Sequence, residues 1–290
     1  MRFSLEQVEA LDAIDRHKSF AAAASELHKA QSAISYSVKQ LEEALGLELF
    51  DRAGHRAVLT DAGRAVLDEG RVLLVRARRI ERMAQTLAGS WEPRLEIVID
   101  GILPMDPILG ALGALTRQGV PTHIQVRVEF LGGVQDRFER TQADMMLVKD
   151  YARGADLMEH ALPEVRVLLV TSRAHALAEL PAVSLGDLHR HVELTVHDSS
   201  ESKRLIDTHI FGGPRVYYLT DFYTKKRALQ LGLGFGWMPE YLIAGELADG
   251  SLVPLPYDGG DRYAFRPVLA HPTARPLGRA GAELLALLTA

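Results

Sequence analysis

The chain contains no cysteine. That excludes a disulfide framework, a thiolate metal site and a thiol nucleophile, and makes a reducing compartment the simplest setting. Also absent is any apolar run approaching the ~20 residues of a membrane-spanning helix. The opening stretch, MRFSLEQVEALDAIDRHKSF, mixes charges into its apolar pattern, unlike a cleavable leader, so a cytoplasmic protein with no membrane partner is expected. No G-x-x-x-x-G-K-S/T, H-E-x-x-H or G-x-S-x-G motif occurs, and GLGFGWMP at 232–239 lacks the third glycine of a dinucleotide fingerprint. It reads instead as a strand between tight turns. The eleven histidines include His189, His191 and His197, which without cysteine or regular carboxylate spacing read as surface or loop residues. No metal, cofactor or catalytic residue is expected, although an α/β enzyme whose nucleophile and base go unannounced stays open at this point.

What is present is a 290-residue chain, 47% hydrophobic, long enough for a sizeable core and for two or more domains. Its net charge of −5 is unevenly placed. Residues 1–90 hold 13 Lys and Arg against 13 Asp and Glu, leaving 20 against 25 for the rest. Any contact with a polyanion must rest on local groups, namely Lys29, Lys39, Arg52, His55 and Arg56.

Leu5, Val8, Leu11 and Ile14 recur at spacing three and predict a helix ending near His17. Ser19 is a natural N-cap for FAAAASEL, whose alanines admit a close neighbour, and a short turn over residues 28–30 leads to a polar helix ending at Gly46. Ile34, Val38 and Leu41 lie on one side of that helix, with Ser32, Ser35, Tyr36, Ser37 and Lys39 on the open side. Two helices joined this way form the helix-turn-helix pattern; a plain helical hairpin accounts for the alanines but leaves the serine-rich face unemployed. LFDRAGHRAVLT then predicts a short hairpin, or wing, with Arg52, His55 and Arg56 at its tip. From Thr60 to about Gly89 a long helix carries Val66, Gly70, Leu73, Ala77, Ile80, Ala84 and Leu87 at alternating steps of four and three. Such a heptad seam calls for a partner helix, and its glycine and alanines would permit close approach. The arginines at 76, 78, 79 and 82 fall mostly off it and read as solvated.

After Trp91 the texture changes. LEIVID, HIQVRVEFL, ADMMLV, VRVLLVTS, VELTV, RVYYLT, FGWM and FRPVLA are strand candidates between helical segments, predicting an α/β class with largely parallel sheets. Ligands of such sheets bind at carboxyl ends of strands, which singles out the loops at 100–103, 130–133, 148–150, 196–200 and 220–223.

Residues 19–67 resemble the LysR-type transcriptional regulators. The resemblance is carried by Ser19-Phe20, Ala23-Ala24, Leu27, Ser32-Ala33-Ile34-Ser35, Val38 with Leu41-Glu42, Leu45-Gly46, Leu49-Phe50 with Arg52, and Leu59-Thr60 with Ala62-Gly63. Further on, LLVTSRAHALA and GLGFGWMPEYL match the family more loosely. The resemblance implies an N-terminal all-α winged helix-turn-helix (1–59), a dimerising linker helix (60–91) and a two-lobed effector-binding domain similar to periplasmic binding proteins (92–290). Lobe I would comprise about 92–162 and 267–290, and lobe II about 163–266. It further implies promoter DNA, a small-molecule effector and RNA polymerase as partners, in a homodimer or homotetramer, with an aromatic compound or aromatic acid as the suggested effector class. The rival is an α/β enzyme or transport-type binding protein with a helical appendage.

On this footing the expected DNA-binding residues are Lys29, Gln31, Ser32, Ser35, Tyr36, Lys39, Arg52 and Arg56, and the dimerisation residues Val66, Leu73, Ala77, Ile80 and Leu87. Ala30 stands where the family commonly has a capping Ser or Thr, so Ser32 is an alternative cap that would start the helix later. The family's layout places Gly101, Ile102, Phe130, Leu131 and Lys149 of lobe I opposite His197, Ser199, Thr220 and Phe222 of lobe II, as the expected effector site. The glycine lets backbone approach a ligand, Ser199 and Thr220 offer hydroxyls, the phenylalanines offer walls, and Lys149 offers a partner for a carboxylate or phenolate.

Overall fold

The computed structural model describes residues 3–51, 58–87, 91–152, 156–200 and 209–289, without the side chains at 78, 79, 81–83 and 85–87. The chain divides into two compact units after Leu87.

In the first unit, α1 (Leu5–His17) opens on a capping box in which Ser4 and Gln7 exchange side-chain and backbone hydrogen bonds. Helix α2 (Phe20–Glu26) starts at Ser19, whose hydroxyl accepts from the Ala22 amide, and buries Ala23 and Ala24. Helix α3 (Gln31–Leu45) begins at Gln31 with Ala30 in the extended cap position and no side-chain cap. The later start at Ser32 is therefore corrected. The extended Ala30 already turns the chain into the helix, and its carbonyl accepts from the Ala33 and Ile34 amides at 3.0 and 3.2 Å. Gly46 ends α3 at φ +69°, a conformation that costs other residues roughly 1 kcal/mol. Strands β1 (Phe50–Asp51) and β2 (Val58–Leu59) pair antiparallel on either side of residues 52–57. The expected tip residues Arg52, His55 and Arg56 lie outside the described residues.

Helix α4 (Asp61–Leu87) starts where Thr60 Oγ1 accepts from the Gly63 amide at 2.9 Å. It lies on α1. Leu67 and Leu74 are buried there, and Arg71 pairs with Asp12 and Asp15 at 2.7 and 2.9 Å. A Cβ on Gly70 would stand 2.6 Å from Val8 Cγ1. Gly70 of the seam is thus used within the chain, whereas Ala84 is exposed. Val66 packs partly into the same core, Ala77 is half-buried, and Val72, Leu73 and Ile80 are exposed. The Leu87 side chain is outside the described residues.

The second unit holds two mixed sheets. The first is built from β3 (Arg94–Asp100), α5 (Met105–Arg117), β4 (His123–Glu129), α6 (Gly132–Thr141), β5 (Met145–Val148) and β6 (Leu157–Ala161). The chain then enters the second sheet with β7 (Val165–Ser172), α7 (Leu185–His189), β8 (Glu193–Val196), β9 (Val216–Leu219), α8 (Phe222–Gln230) and β10 (Phe235–Pro239). Helix α9 (Ala244–Ala248), β11 (Leu252–Pro254) and β12 (Arg262–Phe265) complete it, and the chain returns with β13 (Val268–Pro272) and α10 (Arg279–Thr289). The strand orders are β4-β3-β5-β13-β6 and β11-β7-β10-β8-β9, with β12 also on β7.

The expectation of largely parallel sheets is corrected. Parallel pairs are present, as β3 with β4 and β5 through the intervening α5 and α6, and β8 with β9 and β10. The first strand after each crossing, β7 or β13, runs antiparallel to its neighbours. FRPVLA is likewise not one strand: Phe265 ends β12 in the second sheet and Val268 begins β13 in the first. The Leu95, Ile97, Ile99, Met145, Leu147 and Leu269 side chains fill the main core with Ala280 and Leu284 of α10. Glu92, 5% exposed, fixes that helix from far away in sequence, its carboxylate accepting from the Ala280 and Gly281 amides at 2.8 Å each.

Candidate functional site

Two surfaces carry candidate chemistry, one in each unit. On α3, Ile34, Val38 and Leu41 are 1%, 4% and 1% exposed and bind the helix to Leu11, Ile14, Ala23 and Ala24. Burying each contributes about 1.5–3 kcal/mol. Gln31, Ser32, Ser35, Tyr36 and Lys39 are exposed on the other face, with Ser37 partly covered. The Tyr36 hydroxyl accepts from Gln40 Nε2 at 2.8 Å, which aligns the ring, and Lys39 is only loosely paired with Glu43 at 3.7 Å. Lys29 does not stand free for an anion. Its ammonium is 2.8 Å from Glu6, and this contact holds the Glu6 carboxyl below the usual range. Both groups are exposed, so a phosphate could displace the carboxylate at little cost.

The second surface is a cavity between the two sheets of the second unit, open to solvent. The first sheet supplies Asp100 at the end of β3, Ile102 just beyond it, Phe130 and Leu131 beyond β4, and Lys149 beyond β5; Phe222 faces them from the start of α8. Leu131 lies at φ +52°, ψ −126°, a conformation rare outside glycine that costs on the order of 1–3 kcal/mol. The Lys149 ammonium sits 5.1 and 5.3 Å from the Tyr263 and Phe265 ring centres. Asp100, 4% exposed, accepts from the Ile102 amide at 3.1 Å. Burial pushes its pKa up to about 7, against the opposing pull of the Ile102 amide and the Lys149 charge.

Four of the expected effector residues do not line this cavity. Gly101 is pressed on the Phe130 ring, where a Cβ would stand 2.2 Å from Cε1, so its role is to let that ring in. His197 is exposed, with its ring 6.5 Å from Tyr218, and Thr220 is exposed and bonds Asp221 at 3.1 Å. The Ser199 hydroxyl is spent on Phe130, accepting from its amide at 2.9 Å and donating to its carbonyl at 3.2 Å, and so ties the two lobes together. In the second sheet the cavity wall is the body of the strands rather than their ends: Glu193 to Val196 of β8, Trp237 of β10, Tyr263 of β12 and Val167 of β7 line it, with His209 and Lys225. Of these only Glu193 had a sequence signal, together with the neighbouring Gly236. Glu193 is a charged residue in an otherwise apolar strand candidate, and Gly236 leaves space, since a Cβ there would meet Leu194 O at 2.4 Å and Lys225 Cε at 3.0 Å.

Comparison with known proteins gives these two surfaces a context. Residues 5–64 match the bacterial regulatory helix-turn-helix protein, lysR family, and residues 88–290 match the LysR substrate binding domain. The chain is similar to a probable HTH-type transcriptional regulator, YhaJ, of Escherichia coli K12, with 31% identity over 256 residues, covering 86% of this chain and 84% of that one. A full-length OxyR variant from Pseudomonas aeruginosa superposes with a TM-score of 0.67 at 17% identity, over 99% of this chain and 98% of that one. LysG from Corynebacterium glutamicum, solved full-length with bound effector Arg, gives a TM-score of 0.56 at 19% identity, over 99% and 97%. At such identities the structures speak for the fold. The rival enzyme assignment falls with the two family matches, and the chain belongs to the LysR family of transcriptional regulators.

Proposed function

We propose that the chain binds promoter DNA through the exposed face of α3, as a dimer or dimer of dimers in the cytoplasm. A small metabolite with an aromatic ring, held between the lobes, would alter that binding and the contact with RNA polymerase. The observation that carries the DNA part is the division of α3: Ile34, Val38 and Leu41 are buried while Gln31, Ser32, Ser35, Tyr36 and Lys39 are presented to solvent. Side chains of these types hydrogen-bond base edges or hold phosphates. In the same scheme residues 1–59 form the DNA-binding domain and 60–91 the linker helix, with Leu73 and Ile80 exposed for a partner. The lobe division at about 162 and 267 accords with the two chain crossings. The LysG structure with its effector supports ligand response in this chain, and the ring-lined cavity supports an aromatic ligand. Genomic fragments selected by the protein supply the operator for the test. Ser35→Ala or Tyr36→Ala should weaken its binding by about 1–3 kcal/mol per lost base contact without lowering the melting temperature. Unchanged affinity with a lowered melting temperature would assign both residues to packing.

A further inference from the structure

The walls of the cavity are unusual in their charge. Each lobe brings one buried or half-buried lysine and one buried acid: Lys149 and Asp100 from the first sheet, Lys225 and Glu193 from the second. With both acids ionised these four groups sum to zero; with Asp100 protonated they sum to plus one. Lys149 has no carboxylate at ion-pair distance among the described residues, and its ammonium rests instead against the rings of Tyr263 and Phe265. A partly desolvated cation held in this way favours an anion from outside. Around it the Phe130 and Phe222 rings lie 6.3 Å apart, and the stacked rings of His209 and Tyr263 lie 4.0 Å apart. Trp237 stands 5.1 Å from Tyr263. Flat apolar surfaces therefore surround Lys149, while Lys225 of the facing wall lies 5.6 Å from the Phe222 ring centre.

We propose that the ligand of this cavity is a ring-bearing monoanion that binds together with one proton. The ring lies among Phe130, Phe222 and Tyr263, the acid group meets Lys149, and the proton, drawn from solvent, rests on Asp100. The proposal rests on the cavity being the effector site. Titratable and charged groups facing Asp100 are Lys149 and Asp150 beyond β5, Tyr241, whose hydroxyl donates to the Ile102 carbonyl at 3.2 Å, and Glu193, Lys225 and His209 across the cavity. A ligand anion adds a like charge beside Asp100, which already binds its proton near neutrality, and so raises its proton affinity further. Reciprocity then requires acid to tighten the ligand.

The test uses the full chain, with benzoate, benzamide and benzylammonium as probes and the quenching of Trp237 as the signal. Benzoate should bind best, and its affinity should fall by up to about tenfold per unit as pH rises above about 7. Asp100→Asn should show the same benzoate affinity on both sides of neutrality. Lys149→Met, which keeps an apolar chain against the rings, should lose the preference for benzoate over benzamide. Benzamide or benzylammonium binding as well as benzoate overturns the proposal, as does a benzoate affinity independent of pH or no response to benzoate at any pH. The same preparation is assayed for selected promoter fragments. A chain that retards them but fails the probe panel refutes the ligand class alone; failure to bind any fragment refutes the regulator function whatever benzoate does.

Discussion

Glu42 lies on α3 but is turned away from its exposed face. It is 8% exposed, and its Oε1 accepts from the Leu49 amide at 2.8 Å and from the Phe50 amide at 3.4 Å. The carboxylate thereby clamps the helix to the first strand of the wing, and Leu49 and Phe50 are themselves 0% and 5% exposed. Glu42→Ala removes the acceptor and leaves the Leu49 amide buried without a partner, a cost of about 1–3 kcal/mol. The longer Phe50 contact adds little, and releasing a buried carboxylate returns part of the loss, so about 2 kcal/mol is expected. The effect should be local before it is global. Hydrogen exchange at the Leu49 and Phe50 amides should quicken by roughly 30-fold, the equivalent of that energy, while the amides of β3 and β5 in the second unit keep their protection. Operator affinity should fall as well if α3 meets DNA as proposed, since the hairpin is no longer fixed to it. Glu42→Gln, which retains an acceptor, should lie in between. Exchange at Leu49 within twofold of the parent in Glu42→Ala would refute the clamp.

Three further outcomes follow from other contacts. Leu73→Glu, at a position 39% exposed, should reduce the size of the particle seen by light scattering without lowering its melting temperature, whereas Leu67→Glu, at 1%, should unfold the first unit; an unchanged particle for Leu73→Glu would remove α4 from the interface. Asp100 has its folded pKa raised to about 7 above an ordinary value of 3.8, so the folded state holds the extra proton and stability is lost as pH rises through that window, by on the order of 4 kcal/mol at most. Asp100→Asn should therefore match the parent in urea melts near pH 4 and exceed it above pH 7, and a constant difference across pH would contradict the shift. Gly236→Ala should push β10 from β8 and displace Lys225, costing about 1–3 kcal/mol and reducing the quenching of Trp237 by benzoate; a neutral substitution would mean that the strands part freely.

The helical unit was legible because its signals are local. Apolar spacing placed α1 and α3, Ser19 and Gly46 marked the ends of α2 and α3, and the turn between them is short. The seam on α4 was legible as a seam but not as to its partner, since Gly70 toward Val8 and Leu73 toward solvent obey one period. Strand β6, LMEHA, was missed. It pairs on one side only, and its Glu159 and Met158 are exposed, so no alternation marks it. The cavity was legible where strand ends form it, at Ile102, Phe130 and Lys149, and illegible where strand bodies do, at Thr195 and Trp237. Which stretch of a strand faces a ligand depends on how two sheets are set against each other, a long-range matter that local pattern does not encode.

The position of β13 between β5 and β6 has a consequence for biosynthesis. Among the described residues β6 has no other strand partner, and β13 begins 120 residues after β5 ends, from 148 to 268. All strands of the second sheet lie within residues 165–265 and can pair among themselves in the meantime. On a ribosome the lobe that emerges first is thus the last to be finished. Until β13 arrives, β5 presents an open edge of buried-type residues, Met145 to Val148, to any other chain nearby. Early closure of the later lobe shortens the loop that β13 must close and brings it back beside that edge, so slowed translation between the two should raise the demand for chaperones more than the stability of the finished protein would suggest.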